Sequence, residues 1–274
     1  MIELRHADVI FGKKNICTCM GIGAHQDDLE IMAIHGIITA YNNDKEGFVG
    51  IVAADGAGSA RSGEYANITD EQMAVLRKAE QKEAARMGEY TCLAMLNYPS
   101  KEIKDPTQQG LQEDLYRLLI HFKPQTVYIH NLCDSHPTHI ATAVKAIAAI
   151  RQMDKGLRPK KVYGMEVWRD LDWLPAGEKV VFDLSAHKDL QYSLIRVFRT
   201  QIAGGKAYDT GIMGRRQANA TFSQSHAVDV ATLVSYGMDL TVLIQNESAD
   251  IAEFVSSKIK KFEAKALALL VKVL

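Results

Sequence analysis

The chain has 274 residues, 47% hydrophobic and 24% charged, with a formal net charge of −1. That length and apolar share support a full core in one large domain. The balanced charge gives no electrostatic ground for binding nucleic acid or an anionic membrane surface.

The first residues, MIELRHADVIFGKKNICTC, lack the basic start, long apolar run and small-residue cleavage site of a signal peptide. No stretch approaches the ~18 uninterrupted apolar residues of a membrane span. A soluble, cytoplasmic protein is expected. Cys17, Cys19, Cys92 and Cys133 sit in apolar contexts and are too few for a disulfide scaffold. Cys17 and Cys19, two apart on a strand, are expected to share one face in the core.

Apolar β-type runs then alternate with helical patterns. ICTCMGI (16–22), FVGIVAA (48–54), CLAMLNY (92–98) and TVYIHNL (126–132) have the low polar alternation of strands buried on both faces of a parallel sheet. Helices are expected over about Asp28–Tyr41, over Thr69–Met87 with Thr69 and Gln72 as a capping box, over about Leu111–Phe122, and over Pro137–Met153. KVYGMEVW (161–168) and KVVFDL (179–184) continue the strands, and 185–201 continues the helices. Residues 202–225 are Gly-rich and polar, and an irregular segment that contributes to an active site is expected there. Ile251, Phe254, Val255, Ile259, Phe262, Ala266, Leu269, Leu270 and Val273 recur at helical spacing, predicting an amphipathic helix docked on the core or on another subunit.

This order predicts an α/β fold, a Rossmann-like doubly wound, mostly parallel sheet with helices on both faces. One domain over 1–274 is expected, with a core of about 14–201 and a C-terminal extension of about 202–274.

Two polar clusters stand where apolar strands end. GIGAHQDDLE (21–30) carries His25, Asp27, Asp28 and Glu30, and HNLCDSHPTH (130–139) carries His130, Asp134, His136 and His139. In a doubly wound sheet of order 3-2-1-4, the first and fourth strands are neighbours at the switch point, and their carboxyl-end loops open on one crevice. His25 and Asp28 are three apart across a strand-to-helix turn, and His136 and His139 are three apart across a first helical turn. Either pair suits one centre of two histidines and one carboxylate with a position left for water. Asp27 is then a general base, and a remaining histidine is a donor to developing negative charge. Gly21-Ile-Gly23 does not extend to a dinucleotide fingerprint, because Gln26 stands at the third glycine and two carboxylates would repel a pyrophosphate.

AHQDDLE resembles the A-H-P-D-D-x-E signature of the LmbE-like, PIG-L-type zinc-dependent de-N-acetylases, and HPTH resembles that family's H-P-D-H. The stretch 53–63 and the pair Arg77 and Glu80 are similar to its Gly/Arg-rich loop and R-x-x-E helix. VYGMEVW and 187–201 are similar to its later strand and helix. The resemblance covers about residues 16–201.

It implies His25, Asp28 and His139 as metal ligands, Asp27 as general base, His136 as transition-state donor and Glu30 in a supporting position. It also implies Zn2+, in a site that by its donors also accepts Fe2+, Co2+ or manganese. The implied activity is removal of acetyl from an N-acetylglucosamine-type sugar or sugar conjugate, in a homo-oligomer with no nucleic-acid partner and no membrane span. Arg61, Arg77, Asp134, Glu166 and Trp168 are candidate substrate contacts, with surface salt bridges or core packing as their alternative roles. Gln26 and Thr138 depart from the family's Pro and Asp. Gln26 makes the loop less rigid by sequence, and Thr138 removes a carboxylate that could orient a ligand. A non-catalytic metal- or sugar-binding module and a hydrolase of another N-acyl amide are the alternatives.

Overall fold

The computed structural model describes residues 2–203, 206–223 and 226–274. The strands are β1 Asp8–Phe11, β2 Cys19–Gly23, β3 Phe48–Ala54, β4 Cys92–Tyr98, β5 Thr126–His130, β6 Lys161–Met165, β7 Lys179–Asp183 and β8 Val234–Asp239. The helices are α1 Asp28–Met32, α2 Ile34–Ala40, α3 Asp70–Met87, α4 Ser100–Lys104, α5 Gly110–Phe122, α6 Pro137–Gln152, α7 Lys188–Arg196, α8 Arg199–Ile202, α9 Tyr208–Thr221, α10 Thr241–Gln245 and α11 Ile251–Val271.

One sheet runs β1-β4-β3-β2-β5-β6-β8-β7. The central run from β4 to β6 is parallel. Its order is the doubly wound one, with the first long strand (β2) beside the fourth (β5). Two strands lay outside the expected set. β1 pairs antiparallel on the β4 edge, and β8 inserts antiparallel between β6 and β7.

Both sheet faces are covered. Met20, Ile22, Val49, Ile51 and Ala94 pack on one side with Leu115, Leu118, Ile147 and Ile150. Leu29, Ile34, Ile37, Phe48, Leu93 and Leu194 fill the other. Cys17 packs with the first group and Cys19 with the second, because regular pairing of β2 starts only at Cys19. They do not share a face as expected. Burial pushes both thiols up to about 12, as suits cysteines packed in the core.

The capping box of α3 is present: Gln72 N–H donates to Thr69 Oγ1 at 3.2 Å, and Thr69 N–H donates to Gln72 Oε1 at 2.9 Å. The single helix expected from Asp28 is instead two, broken at Ala33. The break frees the Glu30 and Ile31 carbonyls, which need donors. The buried Arg216 guanidinium of α9 supplies them at 2.8 and 3.2 Å, and also donates to Gln191 Oε1 of α7 at 3.0 Å.

The irregular segment expected over 202–225 is largely helical as α9. Gly211 and Gly214 lower its helix propensity, and its few buried residues, Arg216, Asn219 and Ala220, carry too weak a stripe to be recognised. Tertiary hydrogen bonds hold it.

The terminal helix docks over its first half only. Ile251, Phe254 and Val255 pack against the core, and Lys258 and Lys261 both pair with Glu178. Farther on, 266–271 is continuously apolar, so no single face is defined, and Leu267, Leu269 and Val271 are each more than half exposed. No helix among the described residues is long and apolar enough to cross a membrane.

Candidate active site

β2 and β5 are hydrogen-bonded neighbours, so the segments leaving their carboxyl ends meet. The last residue of β5, His130, is fully buried, and its Nε2 accepts the Ala24 N–H at 2.9 Å. The two clusters are thereby fastened together across 106 positions of sequence. Beyond Ala24 the chain turns sharply. Asp27 holds φ at 93°, a left-handed conformation that costs free energy for a residue with a Cβ. As N-cap of α1 it makes no side-chain capping bond, which leaves the carboxylate for other work.

Three ligand-type atoms converge. His25 Nδ1 lies 3.1 Å from His139 Nε2, and Asp28 Oδ2 lies 3.4 Å from each. A tetrahedral zinc with arms of 2.0–2.1 Å spaces its ligand atoms by about 3.3 Å, so these residues fit a divalent cation. Two overlapping donor triads share His139: His25, His136 and His139, and Asp28, His130 and His139. His130 spends its Nε2 lone pair on Ala24, which disfavours it as a ligand.

The charge states suit the donors. Burial opposes ionisation of Asp28, but the adjoining histidines, His139 first and then His130, outweigh it and hold the carboxyl well below the usual range. Burial lowers His139 to about 4 against the pull of Asp28, so its imidazole is neutral at pH 7. Asp134 Oδ1 faces His139 Nδ1 at 3.5 Å and accepts the His136 N–H at 2.8 Å. A carboxylate on that side of the ring favours the tautomer whose Nε2 lone pair points into the cluster. Thr138 removes the family's carboxylate between the histidines, and Asp134 stands against His139 in this chain.

Asp27 sits beside this cluster. Its N–H donates to Gln81 Oε1 at 3.2 Å, and its Oδ2 accepts from Arg77 Nη2 at 3.3 Å. Burial pushes its carboxyl up to about 6, against the attraction of Arg77. His136 caps α6 with its ring edge-on to His25, centroids 4.9 Å apart, and its Nδ1 has no partner. Burial, and then His25, lowers its pKa. Glu30 is buried behind the loop. Its Oε1 accepts from Tyr90 Oη at 2.6 Å and Gln81 Nε2 at 2.8 Å, and burial pushes it up to about 8. Glu30 therefore reaches Asp27 only through Gln81.

Gln26 is not loose. Its Nε2 donates to Ala54 O at 3.0 Å and its carbonyl accepts from Arg77. Gly56, at φ 79°, passes so close that a Cβ there would lie 2.5 Å from Gln26 Oε1.

A cavity of about 800 Å3 opens over the cluster, lined by His25, Asp27, Asp28 and His136 among others. Of the expected substrate contacts, Trp168 and the edge of the buried Arg77 line it. Arg61, Asp134 and Glu166 do not. Arg61 clasps its own loop through Ala57 O, Ile68 O and Asp70. The second Asp134 oxygen takes the Trp168 N–H. Glu166 is filled by the N–H groups of Leu171 and Tyr236 and by Asn219 and Ser235. These three hold the walls rather than face the cavity. Sequence reasoning missed Lys104, Lys206, Tyr208 and Arg215, which also line it. Only the polarity of 202–225, noted as a sign of a site, pointed toward the last three.

Residues 20–150 match the family model described as PIG-L, GlcNAc-PI de-N-acetylase. A comparison with curated proteins returned no match. Among solved structures, the N,N'-diacetylchitobiose deacetylase from Pyrococcus horikoshii is similar at TM-score 0.65 and 18% identity, covering 85% of this chain and 87% of its own. A conserved protein from Thermus thermophilus is similar at TM-score 0.65 and 16% identity, covering 82% and 95%. The 4-carboxy-2-hydroxymuconate hydratase from Pseudomonas putida is similar at TM-score 0.60 and 18% identity, covering 82% and 96%. These likenesses establish the shared fold, and the family model matches this chain over residues 20–150.

Proposed function

We propose that the chain is a metal-dependent hydrolase that removes the acetyl group from an N-acetylglucosamine-type sugar or conjugate. The observation that carries this reading is the convergence of His25 Nδ1, Asp28 Oδ2 and His139 Nε2 beside Asp27, under a cavity large enough for a sugar conjugate. A divalent cation held by those three residues, Zn2+ or another that such donors accept, would supply Lewis acidity to a carbonyl oxygen and lower the pKa of a water.

The remaining steps belong to the chain's own groups. Asp27 takes the proton of the attacking water. A carboxyl near pH 6 is suited to that work, ionised at neutral pH yet basic enough to accept. Arg77 holds the carboxylate in place and keeps it ionised. An N–H of His136 donates to the amide oxygen as negative charge builds there, and a neutral imidazole suffices for this. Asp27 then passes its proton to the leaving nitrogen. Glu30 and Gln81 fix the Asp27 backbone, and Asp134 orients His139.

The test is acetate release from N-acetylglucosamine derivatives by protein stripped with a chelator and then reloaded. Activity is expected to vanish on stripping and return with Zn2+, Fe2+ or Co2+. Metal should also raise Tm in a concentration-dependent way. Undiminished acetate release by stripped protein would overturn the mechanism. The hydratase among the structural neighbours shows that this fold serves other chemistry, so acetate release rather than fold is the deciding readout.

A further inference from the structure

The outer half of α11 is a helical arm that packs on nothing. Ile251, Phe254 and Val255 dock its start, but every residue from Lys260 to Leu274 is exposed. Leu267, Leu270, Val271 and Leu274 show 53%, 49%, 71% and 93% of their surface. At positions i, i+3, i+4 and i+7 they form one stripe, and Ala266, Leu269, Leu270 and Val273 form the next. The apolar arc is thus wider than the single seam that one partner helix covers. It is also short. The stretch from Ala266 to Leu274 extends about 14 Å along a helix, less than half of the ~30 Å hydrocarbon core of a bilayer.

The charges of the arm are sorted onto one side. Lys258, Lys261, Lys265 and Lys272 follow one another at helical spacing and share a stripe. Lys258 and Lys261 both pair with Glu178, which turns that stripe toward the start of β7. Lys260 and Glu263 stand off the stripe, at the inner end of the arm. After Glu263 the only charges are Lys265 and Lys272, and neither forms an ion pair among the described residues. The net charge of −1 for the whole chain conceals this local positive excess. A lysine at the margin of an apolar arc can lay its stem along apolar surface and keep its ammonium at the polar boundary.

We propose that this arm docks the protein on an anionic phospholipid surface. The arm lies in the plane of the interface, with Leu267, Leu270, Val271 and Leu274 among the acyl chains and Lys265 and Lys272 on the phosphate headgroups. A lipid surface covers the whole apolar arc at once, whereas a second helix covers one stripe of it. A second copy of this chain is the competing occupant, and the test separates the two. The docking is independent of the hydrolase reading, since no residue of α11 lines the cavity over the donor cluster.

The test floats the full chain with vesicles of phosphatidylcholine alone, or of phosphatidylcholine mixed with phosphatidylglycerol, and measures its mass in solution by sedimentation. Two double variants are compared with the unaltered chain: Leu267→Glu with Leu270→Glu, and Lys265→Glu with Lys272→Glu. All four side chains are exposed, so both variants are expected to fold and to keep the Tm of the unaltered chain. At low salt the unaltered protein should partition onto mixed vesicles about tenfold or more better than onto neutral ones, with the difference shrinking as salt rises. The leucine variant should not float with either vesicle. The lysine variant should bind mixed vesicles no better than neutral ones. Absence of flotation with mixed vesicles at low salt would overturn the proposal. So would a stable oligomer that stays off the vesicles and is dissociated by the leucine variant. Equal partition of the unaltered protein onto neutral and mixed vesicles would overturn the assignment of an anionic surface.

Discussion

The two halves of the cavity are made in different ways. The side that carries the donor cluster comes from two strand ends that the sheet places side by side, and bonds a few residues long, His25 N–H to Asp28 and His136 N–H to Asp134, set its turns. The opposite wall comes largely from 166–221, and its groups are fixed by distant partners. Arg216 reaches back across 186 positions to Glu30 O, and Asn219 crosses 53 to Glu166. Local geometry thus defines the chemistry, and long-range packing defines what enters. Both sides also depend on buried long-range contacts, Arg77 and Gln81 to Asp27 on the first and Arg216 to Glu30 O on the second.

The largest expected effect separates the two sides. Asp27→Asn should lower kcat by ~10²-fold or more. Metal content, read by elemental analysis, should be retained, because Asp27 is not among the converging donor atoms. His139→Ala should instead lose the metal itself.

On the other side, Arg216→Met should destabilise the protein by about 2–5 kcal/mol in denaturant unfolding, since it strands the Glu30 and Ile31 carbonyls in a buried place. A variant as stable as the unaltered protein would show that α9 is not fastened there.

Arg77→Met tests the link between Asp27 and its support. Arg77 holds the Asp27 pKa down, so its loss should raise that pKa. Asp27 acts ionised, so the acid limb of the kcat/KM profile should move to higher pH.

A pH-dependent effect on stability is expected at Glu30. Glu30 is held at about 8 in the folded protein, above its ordinary 4.5, so folding favours its protonated form. Its contribution is full below about pH 4.5 and is lost as pH rises toward 8, at no more than about 1.4 kcal/mol per pH unit. Glu30→Gln does not titrate. In metal-free protein, the Tm of Glu30→Gln relative to the unaltered chain should rise between pH 5 and pH 8.

The same contrast decides what was legible in the sequence. The central strands announced themselves because a strand buried on both faces must be apolar throughout, as 48–54 and 92–98 are. The reacting cluster was legible because carboxylates and histidines between such runs have few reasons to be there. The break at Ala33 was not legible, since its cause, Arg216, lies far along the chain. β8 pairs only with strands far back in the chain. Asp134 and Glu166 looked like substrate contacts because a sequence shows a charge without its partners. The structure gives those partners, mostly backbone N–H groups.

The tie between Arg216 and α1 bears on how such a protein can be re-engineered. A segment that reads a different conjugate cannot simply be exchanged over 166–221, because that segment also completes the short helix that begins at Asp28. Any transplant must bring its own fastener for those two carbonyls, or the donor cluster is left on an unsupported turn.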